Sequence, residues 1–269
     1  MESDGSRSGQ LEEVRSGQLE EALRDSYLGL LKGCLTRILF MSDAPGQDPE
    51  MLAYQRRQRE SGSDWPDDAE TMIGTLRLNC IEMCVTTAVR DGIPGDLLEA
   101  GVWRGGASIF MRALLFALGD DTRAVWVADS FEGLPSPDSI NFTQDSTIDL
   151  SGYEELAVSL SEVQSNFKRY GMLDDRVHFL KGWFKDTLGT APIERLAVLR
   201  LDGDYYESTI QGLEALYGKV SRGGFVIIDD YFALEPCRQA TDDFRVANSI
   251  DDEIIPVDWA SVYWRKSST

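Results

Sequence analysis

Five short apolar runs recur in the last two-thirds of the chain: "DLLEAG" at 96–101, "AVWVADS" at 124–130, "VHFLKGW" at 177–183, "LAVLRLD" at 196–202 and "GGFVIIDD" at 223–230. Their length and continuous hydrophobicity predict strands buried on both faces. A helical stretch from about 107 to 118 follows the first run, and "STIQGLEALYGKV" separates the last two. Alternating strands and helices predict an α/β fold with a mostly parallel central sheet covered on both sides.

The first third of the chain reads differently. Residues 1–18 contain "RSGQLEE" twice, starting at Arg7 and Arg15; a period of eight fits no solenoid repeat, and the segment is expected to be a mobile polar leader. From Leu19 to about Met41, helical spacing puts Leu23, Tyr27, Leu30, Leu31, Cys34 and Ile38 on one face, an amphipathic helix. The following "SDAPGQDPEMLAYQRRQRESGSDWPDDAETMIG" mixes proline, glycine and charge with weak periodicity. It is expected to be a mobile connection or lid. Asp67 or Asp68 is the expected cap of a helix over 69–90 that ends at "RDGIPG". The domain division is therefore a leader at 1–18, a helical lid region at 19–92 and a main domain at 93–269.

At 269 residues and 42% hydrophobic, the chain can bury a full core. No apolar run is long enough to span a membrane, and the N-terminus lacks the apolar stretch of a signal peptide, so a cytoplasmic location is expected. The net charge of −20 argues against nucleic acid or an anionic membrane surface as partners, because both recruit lysine and arginine. Cys34, Cys80, Cys84 and Cys237 form no CxxC pair or regular framework and read as free thiols.

Ligands of open α/β sheets bind beyond the carboxyl ends of the strands. Glu99, Asp129, Asp202, Asp204, Asp229 and Asp230 all fall at or just past such ends. A single acid there often only caps the next helix, but six on one edge point to ligand binding. In "EAGVWRGG", Glu99 precedes Gly101 and Gly105, a glycine turn without the G-x-G-x-x-G of a dinucleotide site. An acid so placed can accept from the ammonium of an amino-acid-like ligand. Asp129, at the end of the next strand, suits a ribose diol. Ammonium and ribose together point to S-adenosylmethionine. Asp202, Asp229 and Asp230 end neighbouring strands and can converge on a hard divalent ion such as magnesium. Histidine is the usual base, yet His178 is the only one and sits inside an apolar strand. Asp204 is left as the candidate base, with a helix-capping role as its alternative.

These stretches carry a resemblance. "LLEAGVWRGGASIF", "VWVADSFEGLP", "NFKRYGMLDDRVHFLKGWFKDTL", "LAVLRLDGDYYEST", "GGFVIIDDY", "RESGSDWPDDAETMIG" and the ending "VYWRKS" together resemble the macrocin O-methyltransferase family over roughly Tyr27 to Lys266. Its members methylate sugar hydroxyls in antibiotic biosynthesis. The resemblance implies a Rossmann-like class I methyltransferase fold with an N-terminal helical lid, S-adenosylmethionine and Mg2+ as cofactors, and a small glycosylated acceptor. It implies Asp202, Asp229 and Asp230 as metal ligands and Asp204 as base. Thr71, Met72, Glu99, Gly101, Asp129 and Ser130 would line the cofactor site with Gly182, Trp183 and Asp202. The same motifs add Arg104, Gly105, Ser108 and Phe131. Trp65 stands where the family often has a lid tyrosine.

Two positions depart from the family pattern: Ala100 where threonine is usual and Glu70 where histidine is usual. Glu70, next to the lid, is expected to bear on acceptor choice. The stretch at 135–156 is a long insertion expected to shape the acceptor pocket. The expected reaction is in-line attack of a sugar oxygen on the sulfonium methyl. A metal-dependent methyltransferase of catechol-like phenols shares this acidic constellation, and a non-catalytic binder of the same cofactor is the alternative of another class. A homo-oligomer is expected, with the amphipathic helix offering a face for a second subunit.

Overall fold

A computed structural model describes residues 4–41 and 48–267, with residues 4–16 as backbone alone. The sheet has seven strands: β1 (Asp96–Ala100), β2 (Val125–Asp129), β3 (Val177–Lys181), β4 (Leu196–Leu201), β5 (Val220–Ile228), β6 (Ile255–Pro256) and β7 (Val262–Arg265). Their order across the sheet is β3-β2-β1-β4-β5-β7-β6. The first five run parallel, and β7 pairs antiparallel with both β5 and β6. The five parallel strands match the apolar runs of the sequence within a few residues, and β4 is buried at every position.

The helices are α1 (Asp4–Leu35), α2 (Pro49–Ser61), α3 (Gly74–Arg90), α4 (Gly106–Ala117), α5 (Leu160–Arg169), α6 (Phe184–Thr187), α7 (Tyr206–Leu216) and α8 (Glu235–Ala247). Strand alternation sorts the core into two layers. Leu97, Val127, Val198 and Ile227 pack with α1, α3, α4 and α5 through Leu35, Ile81, Phe110 and Phe167. Leu98, Ala128, Leu199 and Ile228 pack on the other face with α7 and α8 through Leu213, Leu216 and Phe244. No helix among the described residues is long and apolar enough to cross a membrane.

The N-terminal third differs from the sequence reading. α1 is continuous from Asp4, across the boundary expected at 18, and ends at Leu35 rather than Met41. Arg37, at φ 60°, turns the chain into a short 3-10 turn at Ile38–Phe40. Part of the expected mobile connection, 49–61, is helix α2: Asp48 accepts from the Glu50 N–H and Pro49 fills the first helical position. The "SDAPGQ" stretch lies outside the described residues. α3 starts at Gly74, five residues later than expected, and neither Asp67 nor Asp68 caps it. Their backbone carbonyls serve another purpose: Asp67 accepts from Arg104 and Asp68 from Arg37. The segment before α3 is thereby held against the body of the protein.

Candidate active site

The carboxyl ends of β1, β2, β4 and β5 open into one cavity of about 610 Å³. Trp65, Thr71, Met72, Glu99, Gly101, Asp129, Ser130, Trp183 and Asp202 line it, and so do Asp204, Asp229 and Asp230. Nine of the expected cofactor residues therefore share a single space with the expected metal and base residues.

Five expected cofactor residues do not line that cavity. Ser108 is buried on α4 and donates to Glu99 Oε2, so it orients a lining residue. Arg104 donates Nη1 to the carbonyls of Pro66, Asp67 and Ala69; it clamps the 66–69 segment. Gly105 precedes α4 at φ 85°, Phe131 belongs to the core, and Gly182 makes the turn after β3, where its N–H bonds to the Asp129 carbonyl. These residues shape the backbone behind the cavity. Glu70 also points away from it. Buried, it accepts from Arg37 at 2.7 Å, Arg169 at 3.0 Å and the Tyr170 hydroxyl at 2.8 Å, which ties the N-terminal segment to α5. The expectation that Glu70 bears on acceptor choice is thus replaced by a structural anchor.

Gly101 brings β1 against the end of β4. Its φ is 85°, and a Cβ there would meet the Asp202 carbonyl oxygen at 1.7 Å. Only glycine permits that approach. Asp129 holds the rim of the same turn: Oδ2 accepts from the Val102 N–H at 2.8 Å and Oδ1 from the Phe131 N–H at 2.7 Å. Burial still raises its pKa, against these hydrogen bonds.

Beneath the acids lies a residue the sequence reading missed. Arg200 is 1% exposed near the carboxyl end of β4. Parallel register sets it beside Glu99, and its Nη1 lies 2.5 Å from Glu99 Oε1 and 3.0 Å from Asp202 Oδ2. Nη2 lies 2.5 Å from Asp229 Oδ1. Arg77 on α3 holds the other Asp229 oxygen at 2.5 Å and pairs with Asp258 at 2.8 Å. Both oxygens of Glu99 are thus engaged, by Ser108 and Arg200, rather than open to an incoming ammonium. Burial nevertheless pushes the Glu99 pKa up to about 7, against the pull of Arg200. For Asp229 burial opposes the charge, but Arg200 and Arg77 prevail and lower its pKa. The readable signal was one arginine inside an otherwise apolar strand, since a buried guanidinium requires carboxylate partners.

The carboxylates that converge are Asp202, Asp204 and Asp230, with one oxygen of each within 4.8 Å of the others. This departs from the expected trio, in which Asp229 took the place of Asp204. Asp229 stands behind them, each oxygen paired with an arginine. Burial and then repulsion from Asp229 raise the pKa of Asp202, while burial followed by repulsion from neighbouring acids pushes Asp204 up to about 8 and drives Asp230 well above the ordinary range. Asp230 Oδ2 is buried without a hydrogen-bond partner. Asp204 sits in the left-handed region at φ 59°, which aspartate tolerates better than most side chains. Three clustered acids, an orphaned oxygen and raised pKa values fit a hard divalent cation, which would relieve all three.

The insertion at 135–156 closes one side: Pro135, Ser136, Asp138, Leu150 and Leu156 line the cavity. Across it, Trp65 meets Tyr153 edge to face with ring centroids 5.4 Å apart. Trp259, also missed in the sequence, lines the cavity and donates to the Ser61 carbonyl at the end of α2. His178 lies on β3 with its ring 4.5 Å from that of Trp126, within the sheet as expected.

The family described as Macrocin-O-methyltransferase (TylF) matches residues 25–266. An 8-demethyl-8-(2,3-dimethoxy-alpha-L-rhamnosyl)-tetracenomycin-C 4'-O-methyltransferase of Streptomyces olivaceus is 49% identical over 261 residues, 93% of this chain and 96% of that protein. Mycinamicin III 3''-O-methyltransferase of Micromonospora griseorubida is 49% identical over 247 residues, 90% of this chain and 96% of that protein. The solved structure of the O-methyltransferase NovP superposes with a TM-score of 0.85 at 46% identity, covering 91% of this chain and all of that one.

Proposed function

The chain belongs to the macrocin O-methyltransferase family and is an S-adenosylmethionine-dependent O-methyltransferase; within that activity we propose that it methylates a hydroxyl of a deoxysugar on a glycosylated natural product, with the help of a divalent cation. The observation that carries this reading is the shared cavity: the cofactor-side residues and the converging carboxylates line one continuous space. By their names, one relative acts on a rhamnosyl-bearing tetracenomycin and the other on mycinamicin III; the rhamnosyl-bearing acceptor supports a sugar over a catechol.

When bound, S-adenosylmethionine supplies an electrophilic sulfonium methyl for the acceptor oxygen to attack in line. Asp129 and Ser130 would be offered to its ribose, and Thr71, Met72, Trp65 and Trp183, which line the cavity, would wall it. The Glu99–Arg200 pair sets the floor beneath it, with both Glu99 oxygens held by Ser108 and Arg200.

Asp202 and Asp230 would hold the cation, magnesium being the hard ion that suits carboxylates. There it would favour the alkoxide form of a chelated hydroxyl. Asp229 joins them only by trading one of its arginine contacts. Asp204, the third of the converging set, faces the acceptor side from a loop and takes the hydroxyl proton. General-base help of this kind is worth roughly 10² to 10⁴ in rate. Holding the nucleophile near the methyl is worth more, about 7 to 11 kcal/mol. The exposed Leu19, Leu23 and Leu30 on α1 support a homo-oligomer, which sedimentation would register as a mass above one chain.

The test is direct. Protein is incubated with S-adenosylmethionine, magnesium and, separately, mycinamicin III, the demethyl tetracenomycin glycoside and catechol. Mass spectrometry then follows the gain of a methyl. Methylation of a glycoside on its sugar supports the reading. Methylation of catechol alone overturns it.

A further inference from the structure

α7 begins two residues after Asp204 and carries Glu207, Ser208 and Gln211 along the cavity. The first N–H groups of a helix have no partner within it, and the residue before this one, Tyr205, supplies no side-chain cap. The cap comes from 61 residues earlier. Asp145, 1% exposed in the 135–156 insertion, accepts from the Tyr206 N–H at 2.7 Å with Oδ1 and from the Glu207 N–H at 3.0 Å with Oδ2. The tie is returned a few residues on, where the Leu150 N–H donates to the Tyr205 hydroxyl at 2.7 Å. Three hydrogen bonds thus staple the insertion to the start of α7, and separate contacts tie it to Trp65 and Trp103.

We propose that Asp145 is a positioning residue for methyl transfer: by capping α7 it fixes the 135–156 wall of the acceptor side relative to the Asp204 loop. A carboxylate at a helix N-terminus also meets the positive end of the helix dipole, so the staple is charge-assisted as well as bidentate. The inference rests on the sugar O-methyltransfer reading only for what the wall contacts, namely the acceptor and not the cofactor.

The test uses Asp145→Ala and, for the return bond, Tyr205→Phe, in the full chain. Each is expected to raise the acceptor KM on the order of tenfold while the calorimetric Kd for S-adenosylmethionine stays unchanged. Chymotrypsin is expected to cut the variants, but not the wild type, at Phe142 or Tyr153. Parallel loss of cofactor and acceptor binding would overturn the proposal, as would an unchanged acceptor KM with an intact, resistant insertion. If neither glycoside is methylated by the wild type, the sugar reading fails, and proteolysis with cofactor calorimetry still decides the role of Asp145. Cutting with cofactor affinity kept upholds it, and unchanged resistance sinks it.

Discussion

Arg200 Nη2 lies 2.5 Å from Asp229 Oδ1, joining the ends of two adjacent parallel strands beneath the cavity floor. Because the same guanidinium also meets Glu99 and Asp202, it sets the spacing of three acids at once. Such a network has a large desolvation cost that is offset only while every member is present.

Removing Arg200 therefore costs more than one interaction. Arg200→Ala is expected to destabilise the fold by about 3–5 kcal/mol, the cost of leaving buried charge unpaired. Urea unfolding of the variant measures it, and a change under about 1 kcal/mol, as for a surface ion pair, would refute the role assigned here.

Gly101 tests the close approach of β1 to β4. Gly101→Ala has to fit a Cβ into the Asp202 carbonyl and hold φ 85°, so the loss should exceed about 3 kcal/mol. Gly218→Ala, where no atom lies within 4 Å of the added carbon, should stay within about 0.5 kcal/mol of wild type. Thermal denaturation of the pair distinguishes a steric requirement from a general intolerance of substitution.

Asp204 makes opposite contributions to stability and to chemistry. Its folded pKa of about 8 lies above the unfolded value near 3.8, so the native state holds the extra proton. Stability from this group is then present at low pH and lost as pH rises from about 4 to 8. In chelator, Asp204→Asn should melt higher than wild type at pH 8 and level with it near pH 4. The same variant should bind S-adenosylmethionine normally and lose turnover. Turnover at the wild-type rate would exclude Asp204 as the base.

Trp65 is half exposed at the mouth of the cavity, against Tyr153. Trp65→Ala is expected to raise the KM for S-adenosylmethionine roughly tenfold, about 1.4 kcal/mol, and Trp65→Phe to restore most of it. An unaltered KM in the alanine variant would assign Trp65 to the rim and not to the cofactor.

The parallel sheet was legible because both of its faces are covered, which leaves strands as uninterrupted apolar runs such as "LAVLRL". Every acid at a strand end was likewise visible, and all of Glu99, Asp129, Asp202, Asp204, Asp229 and Asp230 reach the cavity. Charge pairing was not visible, because it depends on register: Arg200 meets Glu99 through a parallel pairing that no local pattern encodes. α2 was hidden by its weak amphipathicity, although Asp48 and Pro49 announce its start. Ser108 occupies a motif beside the cofactor side yet faces inward from α4, a matter of helix phase that the motif alone does not fix, while Arg104, in the turn before α4, reaches the carbonyls of 66–69. Antiparallel β7 and helix α8 at the C-terminal end lay beyond the five runs that defined the sheet.

Calorimetric titration of magnesium into protein loaded with S-adenosylmethionine tests the central claim most directly. The wild type should bind one ion per chain, and Asp230→Ala and Asp202→Ala should lose that binding, with the cofactor still bound by Asp230→Ala. Absence of heat from the wild type, or equal binding by both variants, would contradict a cation held between the ends of β4 and β5.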